Sequence, residues 1–86
     1  MPFSLPPDTA VITCVHVLDG APILHAVHDE DGDWQFLCGK KHTVEEARVI
    51  SIAEACELDE TVTELSEMPC GTAADRRKKG SKWKIR

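Results

Sequence analysis

The amino-acid sequence predicts a small α+β domain, and three observations support this fold class. A chain of 86 residues suffices for one compact core. Hydrophobic residues make up 42% and charged residues 29%, as in ordinary globular proteins. Apolar, β-branched segments fill the first half, and helix-capping motifs follow in the second. We expect residues 1–9, with three prolines, to form an extended N-terminal arm and residues 10–86 to form a single domain.

The first half of the chain predicts a three-stranded antiparallel β-meander. Residues 10–17, 22–28 and 34–38 are rich in the β-branched and aromatic side chains that favour strands. Asp19-Gly20 and Asp31-Gly32 separate these segments. Asp-Gly favours a two-residue hairpin turn because both central positions take positive φ. Each strand is therefore expected to pair with the next one along the chain.

The second half predicts a short strand and then helices. Residues 48–52 are rich in β-branched side chains and lead into residues 52–68, within which helices are expected. Ser51 and Glu54 match the capping box, in which a hydroxyl and a carboxylate satisfy unpaired backbone donors. Asp59 is expected to cap a further helical turn. One continuous helix over 44–67 is an open alternative, because periodicity alone does not exclude it.

A C-terminal hairpin is predicted over residues 72–85. Pro69 and Gly71 end the preceding helix. Gly80 lies in the turn between the two arms of this hairpin. We expect Trp83 and Ile85 to point towards the interior.

Charge is distributed unevenly along the chain. The net charge is −5, yet residues 1–75 hold all fifteen acidic and only three basic side chains, whereas residues 76–86 hold seven basic ones. Such asymmetry indicates either a contact with nucleic acid or an acidic protein, or a basic end that folds back over the acidic body. The second interpretation is favoured, because one aromatic residue among eleven makes a small nucleic-acid footprint.

The composition also predicts a cytoplasmic location. No apolar stretch approaches the roughly 20 residues that span a bilayer. The first residues lack the basic start and apolar segment of a secretion signal. Four cysteines are therefore expected to be reduced thiols.

A zinc site is the most specific chemical hypothesis from the residues alone. The meander would place Cys14, His25 and Cys38 in a row across three strands, with His16 beside them and His42 nearby. Thiolates and imidazoles are the ligands that zinc prefers. The spacing matches no zinc-finger pattern, since the sequence contains no Cys-x-x-Cys motif. Zinc binding is thus an alternative function, and the principal expectation is that the chain has no cofactor.

No catalytic motif is complete in the sequence. Cys38 is the best candidate for a nucleophile, because cationic residues and a helix start follow it. Nothing else completes a triad around it, and the sequence contains no phosphate-binding loop or serine elbow. We therefore predict that the protein is not an enzyme.

A basic, tryptophan-containing end and three segments carry a resemblance to a known family, and the three are Trp34-Gln35-Phe36-Leu37-Cys38-Gly39, Ala47-Arg48-Val49-Ile50-Ser51-Ile52 and Met68-Pro69-Cys70-Gly71-Thr72-Ala73. The sequence resembles a family of small bacterial domains of unknown function that includes immunity proteins of polymorphic toxin systems, of the type called immunity protein thirty-three. The resemblance covers most of residues 14–85 and implies an architecture more than an activity. An immunity protein occludes its toxin, and an acidic body would complement a cationic toxin.

These observations favour a non-enzymatic protein-binding domain. Its protein partner is unknown, and a cognate toxin is one candidate. A set of acidic residues on the predicted helices forms the expected contact surface, named here the glutamate face: Glu54, Glu57, Glu60, Glu64 and Glu67. Zinc binding is the first alternative to this function. The second alternative is nucleic-acid binding through a C-terminal basic patch, with Trp83 stacking on bases. That patch consists of Arg76, Arg77, Lys78, Lys79, Lys82 and Lys84.

Overall fold

The computed structural model describes residues 3–39 and 44–86, and these residues form an α+β fold with one mixed sheet. The strands are β1 (Ala10–Cys14), β2 (His25–His28), β3 (Trp34–Leu37), β4 (Ala47–Ser51), β5 (Thr72–Asp75) and β6 (Lys84–Ile85). The α-helices are α1 (Val15–Leu18) and α2 (Ile52–Leu58), and 3-10 helices cover Val44–Glu46 and Glu60–Leu65. No helix in the described ranges is long and apolar enough to cross a membrane.

The strand order in the sheet is β4-β1-β3-β2-β5-β6. Strand β1 pairs in parallel with β3, and the other neighbouring strands are antiparallel. The predicted antiparallel meander is therefore wrong, because β3 lies between β1 and β2. The strand predicted over 10–17 ends at Cys14, and the one predicted over 22–28 begins only at His25.

The error arises at Asp19-Gly20, which ends a helix rather than forming a hairpin. The Gly20 N–H donates to the Val17 carbonyl at 3.1 Å, and the Ala21 N–H donates to the His16 carbonyl at 2.9 Å. These two bonds form a Schellman motif, in which a glycine with positive φ closes the helix; Gly20 has φ of 110°. The helical turn redirects the chain, so that β2 does not return beside β1.

The hairpin between β2 and β3 is confirmed, but its register differs from the prediction. His28 pairs with Trp34, so the connection contains five residues rather than two. His25 therefore pairs with Leu37 instead of Cys38. A shift of one residue moves side chains to the opposite face of a sheet, so the predicted row of Cys14, His25 and Cys38 is wrong.

Residues 47–68 follow the predicted order of strand and helices. Strand β4 pairs along its whole length with β1, which overturns the alternative of one helix over 44–67. Ser51 caps α2, since its Oγ accepts from the Glu54 N–H at 3.1 Å. Asp59 caps the next helix by accepting from the Thr61 N–H at 3.0 Å. The helices predicted within 52–68 thus form as two segments that meet at Asp59.

One hydrophobic core lies between the sheet and these helices. The N-terminal arm contributes Phe3, which is buried and packs edge-on against Trp34 at 5.1 Å between ring centroids. The arm also supplies the Thr9 carbonyl, which accepts from the Ile52 N–H at 2.8 Å and satisfies a donor at the start of α2. The core includes Val11, Cys14, Ala26, Phe36, Ile52, Ala55, Val62, Leu65 and Ala74.

The predicted C-terminal hairpin is confirmed by the antiparallel pairing of β5 with β6. Trp83 is half-buried and packs against the core. Ile85, however, is 55% exposed, so the expectation that it points inwards is wrong. Only two residues of the last strand pair, which leaves a short edge strand.

Candidate functional site

The glutamate face lies on the solvent side of α2, of the 3-10 helix Glu60–Leu65 and of the turn that follows, which carries Glu67. All five of its glutamates are exposed. The same helices send Ile52, Ala55, Val62 and Leu65 into the core, on the side away from the glutamates. Among the described residues, none of the five glutamates forms a salt bridge. Their negative charges are therefore open to an external cation.

An apolar cleft lies beside this face at the end of α2. Leu58 is 40% exposed and lines a cavity of about 140 Å³ with Val17, Ala21 and Pro22. Lys79 lies at the same cavity and brings one cation to its wall. Exposed apolar side chains beside charged ones are typical of protein-binding surfaces. The surface thus combines negative charge with a small apolar depression.

A buried ion pair fixes the junction between α2 and the following 3-10 helix. Arg76 Nη2 lies 2.5 Å from Asp59 Oδ2, and the two side chains are only 0% and 4% exposed. Arg76 also donates from Nη1 to Thr61 Oγ1 at 2.6 Å and from Nε to the Ile23 carbonyl at 2.9 Å. The guanidinium therefore ties three parts of the chain together beneath the cleft.

The protonation state of Asp59 depends on this pair. Burial opposes ionisation of its carboxyl, but hydrogen bonds from the Thr61 side chain and backbone and the charge of Arg76 outweigh that effect. The pKa of Asp59 is consequently held below its ordinary value. The carboxylate remains charged at neutral pH and partners the guanidinium.

The predicted basic patch does not form one uniform surface. Arg76 is buried in the pair with Asp59, and its guanidinium carbon lies 4.1 Å from the centroid of the Trp83 ring. The Trp83 indole N–H donates to the Thr61 carbonyl at 3.2 Å. Arg86 Nε pairs with Asp75 Oδ2 at 2.8 Å. The basic end therefore folds back in part over the acidic body, and the exposed members of the predicted patch are Arg77, Lys78, Lys79, Lys82 and Lys84.

The residues of the predicted zinc site do not form the expected row across the sheet. Cys14 and Cys38 are both buried. His25 Nδ1 lies 2.5 Å from Asp75 Oδ1, and His16 Nε2 lies 2.8 Å from Glu46 Oε2, so both imidazoles have carboxylate partners. His42 lies outside the described residues. Within residues 3–39 and 44–86 there is no group of three or more histidine, cysteine or acidic side chains with metal-binding geometry.

A cysteine and a histidine that the sequence analysis did not select lie side by side. Cys70 Sγ is 3.5 Å from His28 Nε2. The two residues are 42 positions apart in the chain, and the pairing of β2 with β5 brings them together. No motif signals this contact, because it depends on which strands become neighbours. Cys38, the nucleophile considered from the sequence, is only 3% exposed.

Comparisons of the chain with protein-family models, with curated proteins and with solved structures found no match.

Proposed function

We propose that this chain is a non-enzymatic protein-binding domain of the cytoplasm, and that it binds a basic partner protein on its glutamate face. The observation that carries the proposal is the set of five exposed glutamates without a salt bridge in the described part of the chain. Lysine and arginine side chains of a partner would complement this charge and speed the encounter.

The cleft at Leu58 supports the choice of a protein partner over a small cation. An apolar side chain from the partner would fill the cavity of about 140 Å³, while its basic neighbours reach the glutamates. Arg76 and Asp59 fix the helices below, so that the surface is preorganised before binding. A cationic toxin is the partner class that the resemblance to immunity proteins suggests.

The test compares two variants with the same change in net charge. The first reverses the glutamate face with Glu57→Lys, Glu60→Lys and Glu64→Lys. The control carries Glu30→Lys, Asp31→Lys and Asp33→Lys, which change exposed residues in the connection between β2 and β3. Each protein is immobilised and exposed to extract of the native host, and retained proteins are identified by mass spectrometry.

The proposal expects one basic protein to bind the wild type and the control but not the face variant. Raising the salt concentration should weaken its retention, because surface charges are screened. Equal retention by both variants, or a partner with an acidic surface, would contradict the proposal. Circular dichroism of all three proteins establishes that the reversals leave the fold intact.

A further inference from the structure

The contact between Cys70 and His28 lies just before the start of β5, where the chain passes the end of β2. The Gly71 N–H donates to the His28 carbonyl at 2.6 Å and holds the two segments together. Cys70 is exposed, so its sulfur is open to solvent as well as to the imidazole. The distance of 3.5 Å between Sγ and Nε2 allows an S–H···N hydrogen bond.

Two contacts fix the His28 ring. Its Nδ1 lies 2.7 Å from the Met68 carbonyl oxygen. A carbonyl only accepts, so Nδ1 carries the proton, and in the neutral imidazole Nε2 presents its lone pair to Cys70. The ring also stacks on Trp34, with 3.9 Å between centroids and 10° between planes. The imidazole is therefore oriented to accept the proton of the thiol.

The other three thiols lack this combination of exposure and a base. Cys14 and Cys38 are 0% and 3% exposed. Cys56 is partly buried, and burial raises the pKa of its thiol above the ordinary value. The thiolate is the reactive form of cysteine, so these environments direct reaction towards Cys70.

We propose that Cys70 is a site of reversible S-thiolation by low-molecular-weight disulfides, with His28 as its proton acceptor. The inference does not depend on the proposed partner binding. In the forward step, His28 Nε2 takes the proton from Cys70 Sγ. The thiolate sulfur then forms a bond to one sulfur of the disulfide, whose S–S bond breaks.

The leaving sulfur departs with the electron pair of the broken bond and takes the proton from His28. One protein thiol and one disulfide thus give one mixed disulfide and one free thiol, and no other oxidant is needed. Excess thiol reverses the step by attacking the mixed disulfide. The site is a modification site, and the protein turns over no substrate there.

The experiment measures the rate of modification of the full chain by bis(2-hydroxyethyl) disulfide at neutral pH, with intact mass and peptide mapping. The matched control is Ser4→Cys in a Cys70→Ser background, which carries an exposed thiol at an exposed serine position. The expected result is first attachment at Cys70, at a rate at least about 10-fold above that of the control thiol, a threshold below the roughly 100-fold or more that a positioned base typically contributes. His28→Gln should remove most of this excess.

Loss of His28 could also disturb packing on Trp34, so circular dichroism of that variant is recorded with the rate. Comparing the rate at Cys70 with the rate at the thiol of position 4 tests the proposal without the His28 variant. A Cys70 rate equal to that of the control thiol overturns the proposal. First attachment at Cys56, or at either buried thiol, overturns it as well.

Discussion

Replacing Arg76 by methionine removes the charge beneath the glutamate face while keeping much of the side-chain volume. The substitution leaves the Asp59 carboxylate, 4% exposed, without its guanidinium partner. It also removes the donors to Thr61 Oγ1 and to the Ile23 carbonyl. The Asp59 carboxylate, Thr61 Oγ1 and the Ile23 carbonyl thus all lose the guanidinium as a hydrogen-bonding partner.

The expected loss of stability is large for a domain of this size. Removing one partner of a buried ion pair typically costs about 3–5 kcal/mol. A chain of 86 residues is stable by roughly 4–13 kcal/mol in total. Because small domains lose about 4–8 °C in Tm per kcal/mol, Arg76→Met should melt at least about 12 °C below the wild type.

Arg86→Met provides the matched control for this experiment. Arg86 pairs with Asp75, but the two side chains are 64% and 42% exposed. Solvent and salt screen such a pair, so its loss should cost at most about 1 kcal/mol. Urea denaturation of both variants at neutral pH gives the two free energies. Equal losses, or a loss below 1 kcal/mol for Arg76→Met, would refute the argument.

The buried pair of Asp59 and Arg76 also predicts how the stability of the protein depends on pH. The pKa of Asp59 is lowered in the folded protein, so its ionised form stabilises the fold fully above the ordinary value of 3.8. This contribution is lost as pH falls through the lower folded value. The stability gap between the wild type and Asp59→Asn should therefore narrow in acid, whereas a constant gap would contradict the assigned role of the carboxylate.

Substitutions at three further positions test the fold that carries the sites, each by chemical denaturation. Ser51→Ala removes the side-chain cap of α2 and should cost about 1 kcal/mol, while Ser51→Asp should restore most of the loss. Phe36→Ala empties a fully buried position and should cost about 3–5 kcal/mol; a cost below 1 kcal/mol would contradict its place in the core. Gly20→Ala should cost roughly 1–2 kcal/mol from backbone strain alone, because its added Cβ meets nothing within 4 Å. An unchanged stability would show that the positive φ is not required.

Local signals in the sequence predict the second half of the fold better than the first. The Ser51 and Asp59 caps act within three residues, so the pattern of hydroxyl, carboxylate and apolar positions suffices to place α2 and the helix after it. The Asp19-Gly20 pair is ambiguous, since a positive φ at glycine serves both a hairpin and a helix end. Whether this pair forms a hairpin or ends a helix decides the order of the strands in the sheet.

For the candidate sites too, local features follow from the sequence whereas long-range contacts do not. The exposure of the glutamates follows from the helical spacing of the buried positions between them, and the structure places all five at the surface. The burial of Arg76 and the contact between Cys70 and His28 depend on tertiary packing over 17 and 42 residues of chain. Residue type and spacing carry no information about such contacts until the strand neighbours are known.

The dissociation constant of the basic partner, measured for the wild type, the glutamate-face variant and the charge-matched control, tests the central claim most directly. The account predicts that the face variant weakens binding at least about 10-fold, equivalent to 1.4 kcal/mol, while the control stays near the wild type. Equal dissociation constants for the two variants would contradict binding at the glutamate face.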